Sequence, residues 1–232
     1  MIYADYHTHT VYSHGKCTVA EVAQIAAEKG LKKVAICEHG KGNMFYGVSD
    51  NSFLELRREI DEQNKIYAGR LEILMGIEAD FMGGGLSDIP NRIDFDLILI
   101  GYHRGIMPKN KFALSALCES FSDRGDADKN TDEVLRTFDK YKNVFAMTHP
   151  NEYIKMNIDR LSREAAQRGI FLEINNRHIT LSEQELRLSK ENGAGFIISS
   201  DGHLENEMCC FDNAIKAAES ADVLDRVINY NL

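Results

Sequence analysis

The chain has 232 residues, 44% of them hydrophobic and 27% charged, with a formal net charge of -9 and a pI near 5.4. Those values fit one ordinary globular domain and exclude a membrane span, since no apolar run approaches the roughly 18 residues a span needs. The acidic balance excludes general nucleic-acid binding, which rests on an excess of Lys and Arg, but leaves room for a small substrate in a locally positive site. The start MIYADYHTH has neither a basic n-region nor a continuous apolar h-region, so a cytoplasmic location is expected. The five cysteines, with Cys209 and Cys210 adjacent, read as reduced thiols and not as a disulfide framework. Cys37 is a small core residue on this reading, and Cys17 lies close to the histidine-rich start.

The first predicted strand, 2–6, runs into DYHTHTVYSH, which puts His7, His9 and His14 within eight positions. His7 and His9 are two apart, and strand side chains alternate, so both project to one face and could grip one metal ion. A helix over 18–29 follows, then a strand over 33–37 ending in CEHG with His39, and a helix over 52–68. The third strand, 72–79, carries Glu78 in GIEAD, and the connection 81–95 shows no helix. The fourth, 96–102, ends in GYHRG with His103 and Arg104; the segment 105–130 after it reads as a lid or a solvated loop, with a short helix near 112–119. A helix over 132–141, a strand over 144–148 ending in THP with His149, a helix over 159–168 and a strand over 170–175 come next. A helix over 182–192, a strand over 195–199 leading to Asp201 and His203 in SSDGH, and helices over 205–220 and 222–230 complete the pattern.

Capping-box spacing is present at Thr18 with Glu21, Ser52 with Glu55, and Ser182 with Glu185, and Gly30, Gly69, Gly169 and Gly193 close four helices. Seven doubly apolar strands joined by helices imply a parallel sheet, doubly wound or closed into a barrel, and seven units favour the α/β barrel. In such barrels the active site gathers at the C-terminal strand ends, where His7, His9, His14, His39, His103, His149, His203, Glu78 and Asp201 all fall. Only His178, in NNRHI, has no obvious partner motif. A structural site uses about four protein donors and a catalytic zinc about three, so these nine donors, one carboxylate bridging, suffice for three ions.

Taken in order, DYHTHTVYSHG, EHG, GIEAD, GYH, THP and SDGH make the chain resemble, over nearly its whole length, the PHP (polymerase and histidinol phosphatase) metallohydrolases. The resemblance implies a distorted (β/α)7 TIM-like barrel as a single domain over 1–232, and a trinuclear centre of divalent transition metals, zinc with manganese or iron as alternatives. Carried over residue by residue, one ion takes His7, His9, Glu78 and Asp201; a second takes His14, His39 and His203; the third takes Glu78, His103 and His149. Glu78, Asp201 and His203 are the positions the resemblance makes catalytic.

The implied activity is hydrolysis of a small, histidinol-phosphate-like phosphomonoester by a hydroxide shared between metals, with a nuclease or phosphodiesterase as the alternative. An amidohydrolase, which also opens with H-x-H, would show eight strands, and a metal-free scaffold would have lost ligands. Arg177, Arg104 and Lys41 are candidate phosphate clamps, Arg being favoured for its planar fork, and each is otherwise a solvated rim charge. His178 is a candidate proton donor or stacking partner for the leaving group, and Glu173 a candidate inward-facing partner of a ligating imidazole, with Asn175 sharing its face. The substrate's identity, each metal's identity and the oligomeric state stay open.

Overall fold

A computed structural model describes residues 1–122 and 125–231 of the chain. Its elements are β1 (Ala4–Thr8), α1 (Val19–Glu28), β2 (Lys33–His39), α2 (Asp50–Ile66), β3 (Glu72–Gly83), β4 (Leu86–Ser87), β5 (Leu97–Gly101), α3 (Lys111–Glu119), α4 (Ala127–Lys140), β6 (Val144–Met147), α5 (Ile158–Arg168), β7 (Phe171–Asn175), α6 (Glu183–Glu191), β8 (Phe196–Ser199) and α7 (Asp212–Ser220). All seven predicted strands are present and pair in parallel in the order β1-β2-β3-β5-β6-β7-β8. The last and first strands meet at the upper rim, where His9 N donates to Gly202 O at 2.9 Å and Asp201 N to His7 O at 2.9 Å. The result is a nearly closed seven-stranded α/β barrel of the TIM-like type.

Several boundaries differ from the sequence reading. The connection after β3 contains a hairpin: β3 runs on to Gly83 and turns through glycines of positive φ into the antiparallel β4. Helix α2 starts earlier than predicted because Ser49, not Ser52, caps it by accepting from Ser52 N; the Thr18 and Ser182 boxes form as written. Helix α4 also starts early, capped by Asp126 on Lys129 N, and the short helix α3 lies where expected in the segment read as a lid or a solvated loop, of which residues 123 and 124 fall outside the described residues.

The predicted helix over 205–220 shortens to α7, since Cys209 takes a φ of 54° that interrupts helical winding before it. The predicted closing helix over 222–230 is a single 3-10 turn, Leu224–Arg226. Its sequel serves the barrel seam instead. Asn229, fully buried, donates to Ala4 O and Ile198 O at 2.7 and 2.6 Å and accepts from Ile198 N at 3.0 Å. One amide thus bridges, below the rim, the gap where β1 and β8 do not pair as a ladder.

Two apolar layers result. Helices pack on the outer faces of the strands, with Phe53, Leu56, Ile60, Ile73, Ile77, Leu161, Leu172 and Ile198 all essentially inaccessible. Inside, Ala4, Tyr6, Ala35, Cys37, Leu97, Leu99, Ala146 and Ile197 fill the lower barrel, so Cys37 is the core thiol its sequence context suggested. The strand period of two then hands the upper interior to Glu78, Asp80, Glu173 and Asn175. In β1 the change from apolar to polar uses a bulge. Asp5 pairs with Val34 and Thr8 with Ile36, three steps on β1 against two on β2, so that Tyr6 joins the lower core while its neighbour His7 also reaches interior groups.

Candidate metal centre

Glu78 stands at the middle of the upper rim, in register with His39 on β2 and Leu99 on β5. Its Oε1 lies 2.8 Å from His149 Nε2, 3.2 Å from His103 Nε2 and 3.5 Å from His7 Nε2. Its Oε2 lies 3.1 Å from His39 Nδ1 and 3.4 Å from His9 Nε2. Five imidazoles from four strand ends therefore surround one carboxylate. Asp201 adds a second, its Oδ1 3.4 Å from His9 Nε2 and 3.7 Å from His7 Nε2. His14 and His203 meet through their Nε2 atoms beside His9.

All nine predicted donors are thus in one cluster, and the compact sets within it overlap the groups the resemblance implied, differing mainly where His9 joins His14 and His203, and His39 joins Glu78. Glu78, His103 and His149 converge as one set. The other compact sets are His7, His9 and Asp201; His9, His39 and Glu78; and His9, His14 and His203. His9 sits at the junction of three of these sets, its ring stacked on His39 at 4.9 Å between centroids and tilted against His203 at 4.5 Å. Close approach at this rim needs a glycine in GYH: a Cβ on Gly101 would lie 2.6 Å from Thr148 Cγ2 and 3.3 Å from His149 Cε1.

The outward ring nitrogens are held by acceptors, most of which the sequence did not identify. Glu173 Oε1 lies 2.8 Å from His7 Nδ1, while its Oε2 accepts from His149 N at 2.9 Å and from Thr148 Oγ1 and Asn175 Nδ2. Asp80 Oδ1 is 3.0 Å from His103 Nδ1, and Glu152 Oε2 is 2.9 Å from His149 Nδ1. His203 Nδ1 lies between the Asp201 carbonyl at 2.7 Å and Arg177 Nη1 at 2.8 Å, which leaves its Nε2 facing the cluster. Such partners fix tautomer and ring orientation for metal binding. Two of the clustered residues, His149 and Asp201, have φ of 27° and 50°, a strained region for side-chain-bearing residues. Glu173, by accepting the His149 N–H, helps hold one of them there.

The electrostatics also fit a cation. Burial alone would raise Glu78, yet the imidazoles of His103, His7 and His39 hold it well below the usual carboxylate range. Burial opposes protonation of His9, but the Asp201, Glu38 and Glu78 carboxylates push it up to about 10. Burial, together with the charge on His9, pulls His14 down to about 4 and His203 to about 3. Protons thus partly stand in for positive charge that the buried carboxylates require. His9 Nδ1 and His39 Nδ1 are buried and lack any hydrogen-bond partner, the latter despite lying 3.1 Å from Glu78 Oε2. An imidazole nitrogen this close to a carboxylate oxygen, outside hydrogen-bonding geometry, suits a shared metal ion, and the donor set fits transition metals.

A cavity of about 340 Å3 opens above the cluster, walled by Asn43, Phe45, Tyr46, Arg104, Glu152, Tyr153, Arg177 and His178. Arg177 Nη1 lies 2.8 Å from Glu207 Oε2, and His178 Nδ1 3.2 Å from Glu152 Oε1. Arg104 lines the cavity but is committed elsewhere, donating to Ser120 O and lying 4.9 and 5.0 Å from the Phe121 and Tyr153 rings. Lys41 is not on this wall; it pairs with Asp50 at 3.2 Å. Sequence reasoning missed Glu38, Asp80, Tyr46 and Glu152, although Glu38 and Asp80 stand inside the quoted motifs CEHG and GIEAD. Tyr46 stacks on His14 at 4.2 Å between centroids.

A parallel barrel carrying nine histidine and carboxylate donors at its C-terminal rim defines a metallohydrolase-like architecture. The PHP domain family model matches residues 5–230, and the chain belongs to that family. It is 27% identical over 248 residues to a probable phosphatase of Shewanella sp. (strain MR-4), across 97% of this chain and 86% of that one. A probable phosphatase of Acetivibrio thermocellus is 30% identical, across 94% and 87%. Among solved structures, a histidinol phosphate phosphatase from Lactococcus lactis, complexed with zinc, L-histidinol and phosphate, shares the fold with a TM-score of 0.64 at 17% identity, over 94% of this chain and 92% of that one.

Proposed function

We propose that the protein is a metal-dependent phosphatase acting on a small phosphomonoester, with up to three divalent ions held by the nine rim donors. The observation that carries this reading is the ring of five imidazoles around Glu78, an arrangement with little purpose in a binding scaffold. The probable phosphatases among its relatives, and the phosphate and histidinol bound by the Lactococcus enzyme, support the same class of substrate.

Bound cations would supply an acidified water and offset negative charge at phosphorus. Glu78, His103 and His149 would hold one ion; His7, His9 and Asp201 a second; His14 and His203, with His9 or His39, a third. Arg177 is the side chain suited to the phosphoryl oxygens, since it lines the cavity and Glu207 occupies only its Nη1 edge. Arg104 shapes the wall through its stacking. His178 Nε2 would give a proton to the leaving oxygen while Glu152 holds the opposite ring nitrogen. A cavity of about 340 Å3 suits a small ester better than a polymer.

The test is elemental analysis of protein purified without chelator, combined with phosphate release from a panel of monoesters and cleavage of bis(p-nitrophenyl) phosphate. Expected are transition metal in the sample and turnover of monoesters, with metal and activity falling together below about pH 6 as imidazoles compete for protons. Preference for the diester would replace the reading with a phosphodiesterase. Metal-free protein that hydrolyses neither would overturn it.

A further inference from the structure

Lys41, which the sequence offered as a phosphate clamp, leads to a different place. Lys41 and Lys109 line a second cavity, together with Lys140, beside the β3–β4 hairpin. At about 650 Å3 it exceeds the cavity above the histidines. Three ammonium groups in a chain of net charge -9 are a local reversal of sign. Among the described residues the only carboxylate on its wall is Asp88. That carboxylate is already committed: Oδ1 accepts from Asp80 N at 2.8 Å and Oδ2 from Gly42 N at 3.1 Å. Burial pushes Asp88 up to about 7, which further reduces the negative charge it offers. Lys41 does have a partner in Asp50, but both side chains are about half exposed, and an exposed pair of this kind is weak enough to yield to a better anion.

The two cavities are separate. The strap 41–47 lies between them, with Lys41 and Gly42 facing the second cavity and Asn43, Phe45 and Tyr46 facing the first. It is tied to the following connection by Met44 N donating to Gly105 O at 2.8 Å and Met107 N to Gly42 O at 3.4 Å. A Cβ on Gly42 would come within 2.7 Å of Asp88 Cβ, so the strap is packed tightly on this wall. The remaining surface mixes Met82, Leu86 and Ile89 with the Tyr141 ring.

We infer that this cavity is a second binding site, taking a small organic dianion with a short apolar or planar body. The lysines would meet the charged end and the Met82, Leu86, Ile89 and Tyr141 surface the body, a division of labour that neither inorganic phosphate nor a neutral ligand would use fully. The inference does not depend on the proposed phosphatase activity.

The probe is phenylphosphonate, a dianion that cannot be hydrolysed as an ester, measured by equilibrium dialysis against the metal-loaded protein. Two molecules per chain are expected. Lys109→Ala with Lys140→Ala should lose one of them, its affinity falling on the order of tenfold or more, the scale of a charge-assisted hydrogen bond. Arg177→Ala should weaken the other, and the lysine variant should keep native turnover of p-nitrophenyl phosphate. One molecule per chain that the lysine changes do not affect, or no binding, overturns the second site. One molecule that the lysine changes abolish upholds it and counts instead against phosphate recognition above the histidines.

Discussion

The lower and upper halves of the barrel interior are built from the same seven strands by opposite means. Below, eight buried residues from Ala4 to Ile197 fill space by shape alone, with few polar groups to satisfy. Above, Glu78, Glu173 and Asp201 are just as inaccessible, and each is tolerable there only because imidazoles or hydroxyls face its oxygens. The lower half tolerates a change of volume and pays in folding free energy. The upper half tolerates neither a change of charge nor a shift in position.

That contrast breaks most sharply at Glu78. Glu78→Ala should remove more than one metal ion per chain and lower phosphatase activity by more than the roughly 10–100-fold typical of an outer partner, since both oxygens are shared. Elemental analysis beside steady-state kinetics checks it; loss of a single ion would show that Glu78 does not bridge. Next comes Glu173→Gln, which should cost on the order of 3–5 kcal/mol, the scale for breaking a buried ionic pair. Although burial raises its pKa, His7 and His149 hold Glu173 at about 2, below the ordinary 4.5. A depressed carboxyl stabilises fully above pH 4.5 and loses that contribution as pH falls through about 2. The difference in urea midpoint between native and Gln proteins should therefore be widest above pH 4.5 and close towards pH 2. A gap independent of pH would assign Glu173 a packing role only.

Leu99→Ala tests the other half. Fully buried in the lower core, it should cost roughly 2–5 kcal/mol in a denaturant titration. Metal content should be native, and a fall in it would mean that the two halves are coupled. Arg177→Ala should come after it, with kcat/KM on monoesters down by roughly 1.5–3 kcal/mol and metals retained. Unchanged kinetics on every ester would move Arg177 to the solvated rim.

The same contrast explains what could be read from the sequence. Strand ends announce themselves because an apolar run stops and a histidine follows, as at CEH, GYH and TH before Pro150. Nothing in a linear pattern says that Glu173 on β7 will meet His7 on β1, since only barrel closure brings them together. Glu152 and Asp80 were missed for a similar reason: a carboxylate near a histidine is common, and only the fold aims it at the outer nitrogen. The bulge in β1 leaves no mark in ADYHT, yet it lets Tyr6 and His7 both serve the interior. The closing helix failed because Asn229 is used as a seam partner, a tertiary demand that overrides local helical preference.

The smallest expected effect is at Lys41, and it marks where the charged rim stops mattering for catalysis. Lys41 directly follows the EHG motif, two residues after the candidate ligand His39, yet its ammonium faces Asp50 and not the histidine cavity. Its side chain is 56% exposed and that of Asp50 42%, so solvent screens the pair and the change should alter stability by no more than about 1 kcal/mol. Arg177, 40% exposed, is not much better buried; what separates the two is position, since Arg177 lies on the cavity wall beside His203. Lys41→Ala should therefore keep native kcat/KM on p-nitrophenyl phosphate, assayed without added dianion, under conditions where Arg177→Ala loses at least about tenfold. A comparable loss at Lys41 would mean that the strap 41–47 swings its ammonium over the histidines when substrate binds, and that the wall between the two cavities moves during turnover.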